Sequence, residues 1–197
     1  MPHPARVNPQ RTSPHGRGHR IGRFAWGLAW AVFGRFSPRN LHRWRNWLLR
    51  LFGADMHPTA RVYPRARVWA PWNLTMAERA TIADDVDVYC VAPIRLGART
   101  VVSQYCYLCG AGHDFDAPGR PLTPAPITLE DDVWLAADVF VAPGVTVGAD
   151  SVVGARSSVF KDLPGGKVCF GTPAVAVRDR VAGAGGAGGA AAGETSA

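Results

Sequence analysis

From Met56 onward, aliphatic residues recur every six positions. They run Met56, Val62, Val68, Leu74, then after a two-residue step Met76, Ile82, Val88, Ile94, and after a second step Leu96, Val102, Leu108. An offset of 20 residues superimposes these rows. After a break the beat resumes without the step, at Leu129, Leu135, Val141, Val147, Val153 and Val159. Four places after most of these stands a small or β-branched residue: Ala60, Ala66, Ala80, Val86, Ala92, Thr100, Val133, Val139, Val145, Ser151 and Ser157. A period of six fits neither a helix nor an array of hairpins. It predicts an all-β parallel solenoid in which each hexapeptide supplies one short strand and one turn. Three hexapeptides close a triangular coil, with the aliphatic residue pointing inward and the small residue filling the inward position at each corner. About five coils stacked at the inter-strand spacing make a prism roughly 24 Å long. Each coil buries its face only against its neighbours, so both ends need caps.

The flanks have other patterns. Residues 1–20, rich in Pro, Gly, Arg and His, read as a disordered basic arm. Residues 21–55 read as a helical segment. Within it, Ser37-Pro38 has the form of an N-cap followed by a first-turn proline, and Leu41, Trp44, Leu48 and Leu51 repeat at helical spacing. Gly53 stands where the helix should stop, and Ile21–Phe36 is a candidate second helix. The repeat domain spans 56–175, and 176–197 is a C-terminal extension, disordered from about residue 182 where the chain becomes AGAGGAGGAAAGETSA. The helical segment and the stretch after Phe170 are the expected caps.

Composition narrows the class. With 197 residues, 47% hydrophobic, 19% charged, 22 Gly and 16 Pro, the chain is neither wholly disordered nor a helix bundle. The net charge of +7 is uneven: residues 1–55 hold ten Arg against one acid, Asp55, whereas 56–197 hold twelve Lys and Arg against fourteen acids. Nucleic-acid binding would have to reside in the N-terminal segment, which carries no recognition motif, so none is expected. A basic, Trp-rich segment fits peripheral contact with a membrane surface, or equally a solvated arm with a helix docked on the body. The apolar run Phe24–Gly34 is too short to span a bilayer, and its Ala29-Trp30-Ala31 triplet lies inside the run rather than after it, a weak cleavage signal. The expected setting is cytoplasmic, with the inner membrane face as a further hypothesis. Four cysteines do not make a disulfide scaffold, and Cys106-x-x-Cys109 lacks the second pair that a zinc site requires, so no metal is expected.

The break in the beat is the informative place. A loop over 112–126 leaves the repeat, opening with Gly112-His113-Asp114, before Ile127 returns to register. A long loop thrown from a regular solenoid corner is entropically unfavourable to order and usually functional. The body holds two histidines, His57 and His113, and His57 lies in the first coil outside any interruption.

In these features the sequence resembles the hexapeptide-repeat, left-handed β-helix acyltransferases, and most of all the colanic-acid-biosynthesis acetyltransferases near the maltose and galactoside O-acetyltransferases. The resemblance rests on Trp44-Arg-Asn-Trp-Leu-Leu-Arg-Leu-Phe-Gly53, Ala70-Pro-Trp-Asn-Leu74, Tyr107-Leu-Cys-Gly-Ala-Gly-His-Asp114, Val133-Trp-Leu-Ala-Ala137, Val141-Ala-Pro-Gly-Val-Thr-Val-Gly148, Val153-Gly-Ala-Arg-Ser-Ser-Val159, Lys161-Asp162 and Gly171-Thr-Pro-Ala174. It implies a left-handed solenoid, a homotrimer with its sites between adjacent prisms, and acetyl-CoA as co-substrate without a metal. It implies His113 as catalytic base, Trp134, Ala137 and Ala155 along the pantetheine channel, and Lys161 near the nucleotide end of CoA. Two positions depart from the family pattern: Phe160 replaces a threonine and Val175 an arginine, a loss for which Arg178 or Arg180 could substitute.

The implied activity is O-acetyl transfer from acetyl-CoA to a sugar hydroxyl of a surface polysaccharide such as colanic acid. An alcohol is a poor nucleophile near neutrality, and an imidazole can take its proton as attack proceeds. Asp114 or a backbone carbonyl could hold the second ring nitrogen. No Ser or Cys stands out as a covalent relay, which favours direct transfer. Tyr89, on the coil preceding the loop, is a candidate for contact with the acceptor. N-acylation of a nucleotide-linked amino sugar and a non-catalytic solenoid scaffold are the alternatives. A γ-type carbonic anhydrase needs three zinc-binding histidines, more than the body has.

Overall fold

A computed structural model describes residues 16–181. The expectations for residues 1–15 and for the tail from 182 lie outside the described residues. From Asp55 the chain winds as a left-handed parallel β-helix of five full coils and part of a sixth. The first face stacks Asp55–Met56, Leu74–Met76, Ile94–Leu96, Ile127–Leu129 and Thr146–Val147. The second stacks Arg61–Val62, Thr81–Ile82, Val101–Val102, Trp134–Leu135, Val152–Val153 and Lys167–Gly171. The third stacks Arg67–Val68, Asp87–Tyr89, Tyr107–Cys109, Phe140–Val141 and Ser158–Val159.

The six-residue beat is the register of this stack. Val62 pairs with Ile82, Ile82 with Val102, Val102 with Leu135 and Leu135 with Val153, all fully buried. A slip of one residue would turn this whole column outward. The corner residues are buried as well, from Ala60 to Ser157. The residue before each of eight of them adopts a left-handed backbone with φ between 57° and 65°: Arg79, Asp85, Arg99, Tyr105, Asp132, Asp138, Asp150 and Arg156. Asp tolerates this region better than most residues, which explains its recurrence at the turns. Cys106 follows Tyr105 and fills a corner, where its Sγ donates to Ala136 O at 3.0 Å. Burial pushes the Cys90 and Cys106 thiols up to about 11. Cys109 turns its Sγ toward Ala111 O at 3.2 Å. The Cys-x-x-Cys spacing is therefore a product of corner packing.

The first coil has an open edge. In the second coil, the carbonyls of Met76, Ala80, Ile82, Val86 and Val88 accept ladder bonds from the coil before it. Their equivalents in the first coil are Met56, Ala60, Val62, Ala66 and Val68, which have no preceding coil. Side chains from two helices bond all five. Helix α1 (Arg17–Ala29) runs into a single π-turn (Trp30–Gly34), and α2 spans His42–Leu51. Arg50 Nε donates to Met56 O at 3.0 Å, Asn46 Nδ2 to Ala60 O at 2.6 Å and Arg45 Nε to Val62 O at 2.6 Å. The indole N–H groups of Trp30 and Trp26 donate to Ala66 O at 2.9 Å and Val68 O at 2.6 Å.

Arg45 is fully buried, and each nitrogen of its guanidinium donates. Beyond the Nε bond to Val62 O, Nη1 donates to Ser37 Oγ and Pro38 O, and Nη2 to Arg39 O. Burial lowers its pKa from the ordinary guanidinium value, with the Asp84 charge acting in the opposite sense.

This arrangement corrects three expectations. Helix α1 begins at Arg17, so residues 17–20 are helical and not part of a disordered arm. Ser37 is not an N-cap: α2 starts at His42, and Ser37 Oγ donates to Gly34 O while accepting from Arg45. The buried face of α2 is Arg45, Asn46, Leu48 and Leu49, whereas Leu41, Trp44 and Leu51 of the apolar repeat are exposed. The face turned to the prism had to carry donors for the open edge. Gly53 does end α2, with φ +90° and its N–H on Arg50 O at 2.9 Å.

The far end is closed differently. The Asp162 carboxylate accepts from Thr146 N–H at 2.7 Å, and Leu163 O and Cys169 O accept from Gly148 and Gly154. Ala174–Asp179 then folds back antiparallel on Lys167–Gly171, so this strand runs through residue 176, where an extension was expected to begin.

Two consequences are measurable. Arg45→Ala removes the buried bond to Val62 O and the part-buried bonds to Pro38 O and Arg39 O, leaves a space in the cap, and should lower the unfolding free energy by roughly 3 kcal/mol, with Arg45→Lys recovering only part. Urea midpoints test this; a loss in Arg45→Ala no larger than that of a surface substitution would refute the role of the cap. His42 has its pKa lowered chiefly by burial, then by the neighbouring Arg45, Arg61 and Arg39 charges, against a bond to Val62 O. Its contribution is present above the ordinary imidazole value and is lost as the pH falls through the lowered folded value. Melting temperature should therefore drop between pH 7.5 and 5 more in the wild type than in His42→Gln.

Candidate active site

The interruption is not an irregular loop. Ala111–His113 pairs antiparallel with Leu122–Pro124, His113 opposite Leu122, forming a short two-stranded arm that stands off the corner after the third face. Its root is Gly110, whose N–H donates to Tyr89 O at 2.9 Å. A Cβ at Gly110 would lie 2.5 Å from that same oxygen, so no larger residue fits without moving the arm.

His113 lies at the outer end of this ladder, exposed, and its Nδ1–H donates to Arg120 O at 2.8 Å. That bond puts the proton on Nδ1 and leaves the Nε2 lone pair free. Arg120 has a left-handed backbone, φ +48°, following Gly119 at +84°, and this tight turn aims its carbonyl back at the ring. Asp114 does not hold His113. Its Oδ1 accepts from the N–H groups of Asp116 and Ala117, both at 3.1 Å, and its own N–H donates to Pro121 O at 3.0 Å. Of the two ways to hold the imidazole, the geometry takes the backbone carbonyl.

The other predicted residues lie elsewhere on the prism. Trp134 is on the second face, half exposed, with Nε1–H donating to Ser103 Oγ at 3.0 Å. Ala137 and Ala155 follow at the corner between the second and third faces, one coil apart, and Ala137 O accepts from Arg156 N–H at 3.0 Å. Lys161 is exposed just past the third face. Arg178 is exposed on the last strand, its Nη1 donating to Asp179 O at 2.9 Å, while Arg180 is tied to Asp132 O at 2.8 Å. His113 and the alanine corner thus flank the third face from opposite sides. One protomer does not bring them together.

The third face carries a feature that the sequence reading missed. Trp69, Tyr89, Tyr107, Phe140 and Phe160 form a ladder of rings up its outer surface, with successive centroids 5.5, 6.3, 5.7 and 5.7 Å apart. Tyr89 is the second rung, half-buried between Trp69 and Tyr107. Burial, then the Cys109 side chain, push the Tyr107 phenol up, so it is neutral. A usable signal was present: each ring stands next to an inward aliphatic residue of the same face.

No protein-family model matches the chain. It is 46% identical over 156 residues to an Escherichia coli protein named colanic acid biosynthesis acetyltransferase WcaF, covering 79% of this chain and 86% of that one. The chain belongs to the hexapeptide-repeat acetyltransferases. A galactoside O-acetyltransferase of E. coli is 30% identical over 131 residues, 65% of this chain and 56% of the relative. A hexapeptide-repeat acetyltransferase of Vibrio cholerae, solved as a complex with acetyl-CoA, superimposes with a TM-score of 0.75 at 26% identity, covering 85% of this chain and 91% of that one.

Phe160, where the resemblance implied a threonine, stands at the top of the ring ladder in this acetyltransferase and packs on Phe140. Val175 is exposed on the last strand and supplies no donor.

The close approach at Gly110 generates a prediction. Gly110→Ala should displace the His113 arm and lower acetyl transfer by about 10²-fold, since displacements near 1 Å have effects of that size. Turnover and circular dichroism would be compared; full activity in the folded variant would show that the arm tolerates the shift.

Proposed function

We propose that this chain is an acetyl-CoA-dependent O-acetyltransferase acting on a sugar hydroxyl of a surface polysaccharide or its precursor, with His113 as general base. The observation that carries the reading is the free Nε2 of His113, held by a fixed Nδ1–H bond at the end of a rigid arm. The acceptor hydroxyl gives its proton to Nε2 while its oxygen attacks the thioester carbonyl. The C–S bond then breaks, and the leaving CoA sulfur takes the proton back from Nε2. A backbone N–H would stabilise the oxyanion. The thiols of Cys90 and Cys106 are buried and that of Cys109 is turned to a carbonyl, which supports direct transfer over an acyl-enzyme.

On this reading Trp134, Ala137, Ala155, Lys161 and Arg178 belong to the acetyl-CoA side, Tyr89 to the acceptor side, and Asp114 to the shape of the arm. The opposed corners support a homotrimer, in which His113 of one copy meets the alanine corner of the next across the ring-bearing face. The relative named for colanic acid biosynthesis supports a polysaccharide acceptor. We place the reaction in the cytoplasm, at the inner face of the membrane.

Thiol release from acetyl-CoA, measured against a panel of mono- and oligosaccharides, tests this. His113→Ala should lower acceptor-dependent release by about 10²–10⁴-fold. Undiminished release would remove His113 from the role of base. Release with amino sugars alone would make the reaction N-acylation, and failure to bind acetyl-CoA would leave a scaffold.

A further inference from the structure

The outer side of the helical cap has no partner within the protomer. Opposite the face that donates to the prism, α1 and its π-turn present Ile21, Phe24, Leu28, Val32 and Phe33, followed by Phe36, and α2 presents Leu41, Trp44, Trp47 and Leu51, all exposed. Phe24 is 76% and Phe36 81% exposed, values far from those of a protein core. Trp44 joins the two elements: its Nε1–H donates to Phe33 O at 2.9 Å, and its ring stacks on Trp47 with centroids 5.0 Å apart. The exposed apolar residues of the two elements thus meet at Trp44. Exposed arginines surround it at 20, 35 and 43, and no Asp or Glu occurs before Asp55.

We propose that this face docks the protein flat on an anionic phospholipid bilayer. An apolar aromatic ridge flanked by Arg20, Arg35 and Arg43, on helices that carry no acidic residue, matches a surface whose interior is hydrocarbon and whose headgroups are negative. A second copy is a poor occupant, because a two-fold pairing of this face would set the arginines of one copy against those of the other. Among the described residues no helix is long and apolar enough to cross a membrane, so the helices lie on the surface. Their inner sides are bonded to the first coil, which makes the docking rigid. The solenoid then stands with its first coil at the lipid, and the His113 arm leaves after the third coil, roughly 10 Å further along the prism. On the acetyl-transfer reading, that height suits a sugar carried on a lipid.

Co-flotation of the full chain with phosphatidylcholine vesicles, with and without 30% phosphatidylglycerol, tests the proposal. The protein should float with the anionic vesicles and be released by high salt. Phe24→Asp with Leu28→Asp should reduce the bound fraction at least tenfold at an unchanged melting temperature. Should that pair disturb folding, Arg20→Glu with Arg43→Glu gives the same reading through charge. Deletion of residues 1–15 should leave flotation intact. No flotation with anionic vesicles, equal flotation of the variants, or loss of flotation on that deletion would each overturn the proposal. None of these outcomes depends on acetyl transfer, so the docking and catalytic readings fail separately.

Discussion

A parallel coil satisfies its backbone only through its neighbours, and the first coil has one neighbour too few. Five carbonyls, from Met56 to Val68, face the space where a preceding coil would be. Each left buried and unbonded would be destabilising by about 1–3 kcal/mol, so together they rival the whole stability of an ordinary domain. Trp26, Trp30, Arg45, Asn46 and Arg50 take over the ladder with side-chain N–H groups. That requirement inverts the usual logic of a surface helix. The inner face of α2 carries a buried guanidinium and an amide, and much of its apolar material is left outside.

The prism is a regular frame, and the proposed chemistry hangs on its irregularities. The arm bearing His113 departs where the beat breaks, rooted at Gly110 against Tyr89, and ends in a turn whose carbonyl sets the imidazole. The alanine corner lies across one face from it. The geometry of a triangular coil separates groups that the proposed reaction must unite, with the ring-bearing face between them.

The hexapeptide beat made the solenoid legible to the residue: the columns read from a 20-residue offset are the pairs seen in the sheets, as for Val62, Ile82 and Val102. The location of His113 on a protruding segment was also legible, because the beat stops there. Other features depended on information that periodicity lacks. Leu41, Trp44 and Leu51 mark a helix but not which side faces in, since an open sheet edge can outrank an apolar stripe. The partner of His113 depended on the backbone turn at Arg120, not on the neighbouring Asp114. The ring ladder assembles residues 18 to 33 positions apart, each unremarked in its own hexapeptide. Cys106 and Cys109 looked like a motif and are neighbours by accident of corner spacing.

The position of the cap in the chain has a consequence for synthesis. Residues 17–51 leave the ribosome before any coil exists, so the donors for the first edge are already made when that edge appears. Each later coil then adds to a template with a single growing side. An unprotected strand edge is an invitation to pair with other molecules. Here that hazard is confined to the far end, where the strand Ala174–Asp179 turns back antiparallel on Lys167–Gly171.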